Sequence, residues 1–271
     1  MGLFGVTAIM GYSMKTKKSL GQHFLKDEHA LERIIVAAQL QKGDVVLEIG
    51  PGRGALTKKI LDIGASVVAI EKDNELILYL KEFFAEKIAS GQLVLVCGDI
   101  LETDLTQLGL VNGEFSVVAN IPYYITGQIV RFLLAGRVNP KKAILLMQKE
   151  VAERIVAIDN KQSLLSISVA VFGVPKIAGI VRAGAFNPAP KVDSAIVVIS
   201  NISRSFFDDI EQGAFFTFLK AHFMHKRKQL AHAGLITPVV FTACAVAPTA
   251  RPEELNADNW RCLFEKTHKE M

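Results

Sequence analysis

The sequence has few cysteines, no long apolar run and no metal-binding spacing. Its three cysteines, Cys97, Cys244 and Cys262, are odd in number and lack zinc-ligand spacing, which favours a reducing compartment. We therefore expect a cytoplasmic protein. No apolar stretch reaches the about 20 residues of a membrane-spanning helix, so no membrane association is expected. None of the six histidines stands at metal-ligand spacing, and no metal is expected.

The sequence also lacks a clear secretion signal, and its net charge is modest. Residues 1–14 are mildly apolar but lack a positively charged start and a cleavage site, so we expect a flexible leader rather than a signal peptide. Met14 is a second candidate start. The net charge of +4 and the pI of about 8.9 permit an anionic partner without requiring one.

Short apolar runs alternate with amphipathic stretches up to about residue 200. Apolar runs without alternation are typical of strands that are covered on both faces. Repeated strand–helix units predict a doubly wound α/β fold with a mostly parallel sheet. Two further runs, at 177–181 and 195–199, are expected to add an antiparallel edge. After residue 202 helical patterns replace strands, which predicts a small helical domain. The predicted parallel strands are 45–49, 67–70, 93–97, 115–119 and 143–147.

A glycine-rich turn follows the first of these strands. Gly50, Gly52 and Gly54 stand between a strand and a predicted helix, where a tight turn lets the backbone approach a ligand. With Ala55, the first two also fit the dinucleotide pattern G-x-G-x-x-G/A. This spacing leaves NAD, another nucleoside cofactor and a turn without ligand as alternatives.

Two carboxylates follow the next two predicted strands. Glu71 ends the second strand, where a carboxylate can accept hydrogen bonds from both ribose hydroxyls. Asp99 follows the third strand, where it can accept from the amino group of an adenine. Asp99 alone is more typical of a helix cap or turn. Together with the glycine turn, both residues favour a nucleoside-binding site.

The segment Asn120-Ile121-Pro122-Tyr123 follows the fourth predicted strand. Ligands of open α/β sheets bind at the carboxyl ends of the parallel strands. Pro122 fixes the backbone and restricts Ile121, so the local carbonyls are held as acceptors. Accepting both hydrogens of an aromatic amine favours a pyramidal nitrogen with a free lone pair, and Tyr123 can stack on the ring. The segment predicts positioning of an amino-bearing ring, with a packed Asx-type turn as the alternative.

The chain resembles the ribosomal RNA adenine N6,N6-dimethyltransferase family, which modifies small-subunit RNA. The resemblance runs from about Lys17 to about Leu235. The first and last of four motifs are more specific than a glycine-rich turn. The motifs are Gly21-Gln22-His23-Phe24-Leu25, the turn from Glu48 to Gly54, Asn120 to Tyr123, and Phe186-x-Pro188-x-Pro190-x-Val192-x-Ser194.

This resemblance implies a Rossmann-like class I methyltransferase fold with S-adenosyl-L-methionine as cofactor. Residues 1–201 would form the catalytic domain and residues 202–271 a helical RNA-binding domain. The methionine end of the cofactor would lie near Gln22 and the glycine turn, with Glu71 at the ribose and Asp99 at the adenine. The cofactor-binding residues implied are Gln22, His23, Leu25, Gly50, Gly52, Glu71, Asp99 and Asn120.

The resemblance also implies which residues meet the substrate. Asn120 and Tyr123 would hold the target adenine, and Phe186 would be a second aromatic neighbour of that base. From the residues alone, a proline-braced loop with Phe186 in the core is the alternative interpretation. His23 departs from the asparagine that is common in the family, so a contact of its side chain with the cofactor stays open.

Ribosomal RNA in small-subunit particles is the implied partner, and we expect a monomer. Lys226, Arg227 and Lys228 are candidate RNA contacts, and a solvated basic face is the alternative. Ala231-His232-Ala233 replaces a usually polar, basic stretch and weakens the match there.

Three other functions stay open. Macrolide-resistance methylases share the motifs and act on large-subunit RNA. A non-catalytic RNA-binding assembly factor could use the same fold. An NAD oxidoreductase fits the glycine pattern alone.

Overall fold

The computed structural model describes residues 16–17, 20–224, 228–233 and 236–269. Its main feature is a seven-stranded mixed sheet, accompanied by a two-stranded antiparallel pair. The strands are β1 (Phe24–Leu25), β2 (Val45–Ile49), β3 (Ser66–Glu71), β4 (Leu93–Cys97), β5 (Phe115–Asn120), β6 (Lys142–Gln148), β7 (Val174–Val181), β8 (Phe186–Asn187) and β9 (Ser194–Ser200).

The large sheet confirms the predicted topology. Its order is β4-β3-β2-β5-β6-β9-β7, in which the first five strands are parallel. The last two, β9 and β7, run antiparallel and form the predicted edge. The central strands β2 and β5 are apolar because both faces of the sheet are covered by helices.

Helices follow most strands, as the alternating pattern predicts. Two of them, α1 and α7, were not predicted from the sequence. The helices are α1 (Glu28–Ala38), α2 (Ala55–Asp62), α3 (Asn74–Phe83), α4 (Ala85–Ala89), α5 (Thr126–Ala135), α6 (Lys149–Val156), α7 (Leu164–Ala170), α8 (Gln212–Phe223), α9 (Pro238–Ala243) and α10 (Ala257–Lys269). None of the described helices is long and apolar enough to cross a membrane.

The short strands β1 and β8 pair the N-terminal motif with the last of the four sequence motifs. Leu25 pairs with Phe186, and Phe24 pairs with Asn187. The first and last sequence motifs are therefore neighbours in space, although more than half of the chain lies between them. The N-terminal motif lies beside the carboxyl ends of the parallel strands, where Asn120 of β5 donates a hydrogen bond to the backbone oxygen of His23.

The helices after residue 202 share an apolar core with one face of the sheet. Phe215 and Trp260 are fully buried and belong to the same cluster as Val117 and Leu145 of the sheet. Aromatic contacts, including that of Phe172 with Phe216, connect the two parts. The helical character after residue 202 is confirmed, while the boundary between residues 201 and 202 stays a prediction.

One cysteine pair differs from the expectation of free thiols. Cys244 and Cys262 form a disulfide that joins the end of α9 to α10, and Cys97 is exposed and free. Their separation of 18 residues carries no recognisable sequence signal, because only the packing of α9 against α10 brings the two side chains together.

Candidate functional site

A cavity opens at the edge where the parallel strands β2, β3, β4 and β5 end. This is the edge at which ligands of open α/β sheets bind. The segment leading into β1 forms one side of the cavity. Most of the residues predicted to bind a cofactor or substrate line it: Gln22, His23, Gly50, Gly52, Glu71, Asp99, Asn120 and Tyr123.

The glycine turn has a left-handed backbone at each of its glycines. Gly50 has a φ of +67° and Gly52 a φ of +59°, values that L side chains rarely adopt. A Cβ on Gly50 would meet no atom within 4 Å, so this glycine faces open space. A Cβ on Gly52 would lie 3.0 Å from the Phe24 ring. The turn therefore exposes backbone to the cavity on one side and packs closely against β1 on the other.

Glu71 closes this turn from the end of β3. Its two oxygens accept hydrogen bonds from the backbone N–H of Gly52 (3.1 Å) and of Asp73 (2.9 Å). Burial raises the pKa of Glu71, while these backbone donors oppose the shift. Each carboxylate oxygen has a second lone pair, so the group can still accept hydrogen bonds from a ligand.

A second carboxylate, Glu48 of β2, lies under the turn and away from the cavity lining. It is 1% exposed, and burial raises its pKa to about 8. Its Oε2 atom has no hydrogen-bond partner among the described residues. Glu48 is therefore held largely as the neutral acid at neutral pH.

Asp73 ties the N-terminal motif to the end of β3. Its carboxylate accepts hydrogen bonds from Lys17 Nζ (2.7 Å) and from Gln22 Nε2 (2.9 Å). The Gln22 side chain in turn accepts from the backbone N–H of Lys17 (2.8 Å). Although burial opposes it, these donors hold the pKa of Asp73 below its usual range. The carboxylate also caps α3, so one residue fixes both the helix and Gln22.

Asp99, which also lines the cavity, has an ion pair with Lys72. Lys72 Nζ donates to Asp99 Oδ2 at 2.8 Å, and the backbone N–H of Leu101 donates to Oδ1 at 2.9 Å. The Lys72 hydrogen bond, followed by the Leu101 donor, holds the pKa of Asp99 below its usual range. The carboxylate is therefore ionised and able to accept a further hydrogen bond.

Asn120 ends β5 with its amide in a fixed orientation. Its Nδ2 donates to the backbone oxygen of His23 at 3.0 Å. This contact assigns the other amide atom, Oδ1, as an acceptor for a ligand. Ile121 is buried and Pro122 lines the cavity, so the backbone after Asn120 is held as the sequence predicts.

Tyr123 is held by contacts with two other motifs. Its hydroxyl lies 2.6 Å from Ser194 Oγ. Its ring stacks on that of His23, with centroids 5.7 Å apart and planes 19° apart. His23 Nδ1 in turn donates to the backbone oxygen of Pro188 at 2.8 Å. The side chain of His23 thus supports Tyr123 and lines the cavity.

Two predicted residues are placed in the core. Leu25 is 9% exposed and Phe186 is 2% exposed, and neither lines the cavity. Both take part in the β1–β8 pairing. The contact of Phe186 with a target base stays a prediction. Lys228 is exposed, while Lys226 and Arg227 lie outside the described residues.

Several residues of the site were not predicted from the sequence, among them Lys72, Asp73 and Ser194. Lys72 and Asp73 stand directly after Glu71, and this Glu-Lys-Asp run was the available signal. Ser194 closes the last motif, which by itself indicated only the family resemblance. In each case the partner is distant in the chain, which is why the role emerges only in three dimensions.

Comparisons with known proteins show the family of the chain. A profile of the family described as "Ribosomal RNA adenine dimethylase" matches residues 13–265. Two curated relatives are named "Ribosomal RNA small subunit methyltransferase A". The relative from Dehalococcoides mccartyi is 36% identical over 261 residues, covering 93% of this chain and 89% of its own. The relative from Thermosynechococcus vestitus is 37% identical over 265 residues, covering 93% and 97%.

Solved structures show the same fold. A dimethyladenosine transferase from Plasmodium falciparum superposes with a TM-score of 0.76 at 28% identity, covering 92% of this chain and 98% of its own. The 23S rRNA methyltransferase ErmE superposes with a TM-score of 0.72 at 24% identity, covering 90% and 99%. At that identity the second likeness supports the fold alone.

Proposed function

Because the chain belongs to the ribosomal RNA adenine dimethylase family, we propose that it transfers methyl groups from S-adenosyl-L-methionine to N6 of adenines in small-subunit ribosomal RNA. Two transfers per base would give dimethyladenosine, and the reaction would be part of ribosome biogenesis. Curated relatives that match nearly the whole chain carry the name of a small-subunit methyltransferase. Family membership implies a methyl donor, and the cavity supports the identity of that donor.

The residues that line the cavity offer S-adenosylmethionine an open backbone turn and two carboxylate acceptors. The open backbone at Gly50 leaves room for a ligand against the turn. Glu71 and Asp99 offer carboxylate acceptors for ribose hydroxyls and for an adenine amino group. S-adenosylmethionine supplies an electrophilic methyl group on its sulfonium. Gln22, held by Asp73, lines the same cavity.

The orientation of the Asn120 amide is the observation that supports the proposed reaction most directly. Its Nδ2 is engaged by the His23 carbonyl, which leaves Oδ1 to accept a hydrogen of the target amine. A backbone carbonyl of the rigid segment at Pro122 would accept the second hydrogen. Both contacts localise the nitrogen lone pair that is otherwise delocalised into the ring. The residues thus contribute positioning and electrostatics rather than a strong base.

The target base must leave its stack to enter this cavity. Tyr123 offers a half-buried aromatic plane beside Asn120. Recognition of the surrounding RNA would rest on shape, phosphates and unpaired bases. Each phosphate contact by a lysine or arginine is expected to steepen the salt dependence of binding by roughly 0.7 to 0.9 log units.

An assay with Asn120→Ala tests the proposal. Unmodified small-subunit particles are incubated with radiolabelled S-adenosylmethionine, and the methylated adenines are mapped. We expect the wild type to dimethylate adenines and the variant to lose transfer, while the variant binds the cofactor with nearly unchanged affinity in calorimetry. Large-subunit particles and NAD are included as the alternative substrate and cofactor.

Asn74→Ala is the matched control, because Asn74 is an exposed asparagine outside the cavity lining. It should retain full transfer. Transfer at wild-type rate by Asn120→Ala would remove Asn120 from the reaction. Methylation of large-subunit RNA alone would instead favour the macrolide-resistance type of enzyme. Binding of small-subunit particles without any methyl transfer by the wild type would favour a non-catalytic assembly role.

A further inference from the structure

The hydroxyl groups of Tyr123 and Ser194 lie 2.6 Å apart, although 71 residues separate them. Ser194 is the first residue of β9 and is fully buried. Because β9 runs antiparallel to β6, its beginning lies at the edge where the parallel strands end. We propose that Ser194 is a positioning residue that fixes the Tyr123 ring in the plane where it receives the target adenine; this rests on the proposed function.

The sheet holds Ser194 more rigidly than a loop would hold it. Its backbone pairs with Gln148 of β6 on one side and with Val181 of β7 on the other. Tyr123, in contrast, stands in a short 3₁₀ turn between β5 and α5. The rigid partner of the hydrogen bond is therefore Ser194, and the positioned partner is Tyr123.

His23 supports the same ring from its face. The two rings are stacked, and the bond from His23 Nδ1 to the Pro188 carbonyl holds the imidazole in place. Pro188 and Ser194 belong to one motif, so this motif restrains Tyr123 directly through the hydroxyl and indirectly through the imidazole. The role of that arrangement is placement of an aromatic plane, since no proton transfer from Tyr123 is needed.

Burial raises the pKa of the Tyr123 phenol, so the ring stays neutral and its O–H remains a hydrogen-bond group at neutral pH. Loss of the hydrogen bond would free rotation and tilt of the ring without emptying the cavity. A small misplacement of a positioning group lowers the rate of the chemical step more than it lowers cofactor affinity.

A double-mutant cycle on methyl transfer tests the pair. Ser194→Ala and Tyr123→Phe each remove one hydroxyl, and each is expected to lower kcat by about 10-fold, with the affinity for S-adenosylmethionine unchanged. The double variant should be no slower than Tyr123→Phe alone, because the interaction is already lost. Multiplying effects of the two substitutions would overturn the proposal.

Ser116→Ala is the matched control. Ser116 is also fully buried in the sheet, on β5, and its Oγ has no hydrogen-bond partner among the described residues. It reports what removal of a buried serine hydroxyl does without affecting Tyr123, and kcat should be unchanged. A loss of kcat equal to that of Ser194→Ala would show a general packing effect and would overturn the positioning role.

Tyrosine-ring NMR gives a readout that does not depend on the reaction. The chain has four tyrosines, so the signals of Tyr123 can be resolved and assigned with Tyr123→Phe. Ser194→Ala should shift and broaden the Tyr123 ring signals, and Ser116→Ala should not. Unchanged Tyr123 signals in Ser194→Ala would refute the restraint. Absence of methyl transfer by the wild type would refute the proposed function while the NMR result still decides the restraint.

Discussion

Lys72 Nζ lies 2.8 Å from Asp99 Oδ2, so the proposed acceptor for the cofactor's adenine already has a cationic partner. Lys72 is 56% exposed at its side chain and lines the cavity. The sulfonium of the cofactor is also positively charged, so Lys72 adds a second positive charge to the same cavity. We therefore expect the ion pair to oppose cofactor binding while it keeps Asp99 ionised.

Replacement of Lys72 by methionine is expected to tighten the binding of S-adenosylmethionine by a few-fold at low salt. The substitution removes a competitor for Asp99 Oδ2 and a repulsive charge, while the bond from Leu101 to Oδ1 is retained. Because salt screens exposed charges, the gain should shrink between about 0.05 and about 0.5 M salt. Isothermal calorimetry at both salt concentrations measures it.

Lys58→Met is the control for this prediction. Lys58 also forms an exposed ion pair, with Asp62, but lies outside the cavity lining. Its substitution should leave the affinity unchanged. Weaker binding by Lys72→Met would show that the lysine supports the cofactor instead of competing with it.

The buried acid Glu48 predicts a specific dependence of stability on pH. Its pKa is about 8 in the folded protein against 4.5 for the free side chain, so the folded state binds the proton more tightly. The stabilisation that the Glu48 carboxyl contributes is fully present below about pH 4.5 and is lost as the pH rises towards 8. Glu48→Gln, which mimics the neutral acid, should abolish this loss.

Urea unfolding between about pH 5 and pH 9 measures this effect. Relative to Glu48→Gln, the wild type should lose up to about 1.4 kcal/mol of unfolding free energy per pH unit up to about pH 8, and no more above it. Glu114→Gln, at an exposed glutamate, should follow the wild-type profile. Parallel profiles for wild type and Glu48→Gln would contradict a raised pKa.

Gly54 is expected to be intolerant of alanine because its turn is both left-handed and crowded. Its φ is +78°, and an added Cβ would lie 2.5 Å from the Phe84 ring and 3.0 Å from Leu80. Gly54→Ala should lower the unfolding free energy by about 1–2 kcal/mol for the backbone and by about 1–3 kcal/mol more for overpacking.

Gly109→Ala separates these two contributions. Gly109 has a similar φ of +71°, but an added Cβ would meet no atom within 4 Å. Its substitution should therefore show the backbone cost alone in urea unfolding. Equal losses of unfolding free energy for Gly54→Ala and Gly109→Ala would mean that the side chains of Phe84 and Leu80 move aside without destabilising the protein.

Much of the fold could be predicted from local patterns. The five parallel strands are short apolar runs, and burial on both faces of the sheet is the physical cause of that composition. Glu71 and Asn120 end strands, and Gly50 and Asp99 stand just after strands, so the parallel order brings all four to the carboxyl ends of the sheet. The presence of these four residues in the cavity lining could therefore be predicted largely from the sequence.

Other features depend on contacts between distant segments. The core placement of Phe186 follows from the β1–β8 pairing, which two strands of two residues each do not signal. The Cys244–Cys262 disulfide follows from the packing of α9 against α10. The RNA contacts predicted for Lys228 and its neighbours stay a prediction, as do the domain boundary and the monomeric state.

By itself, the sequence determined the parallel sheet, the glycine turn and the family, because strand burial and backbone freedom leave local traces in residue type. Only the tertiary structure decided which groups are paired: Lys72 with Asp99, Gln22 with Asp73, and Tyr123 with Ser194. Hydrogen bonds join side chains through space, and their energy depends on distances of a few tenths of an ångström that no spacing along the chain encodes.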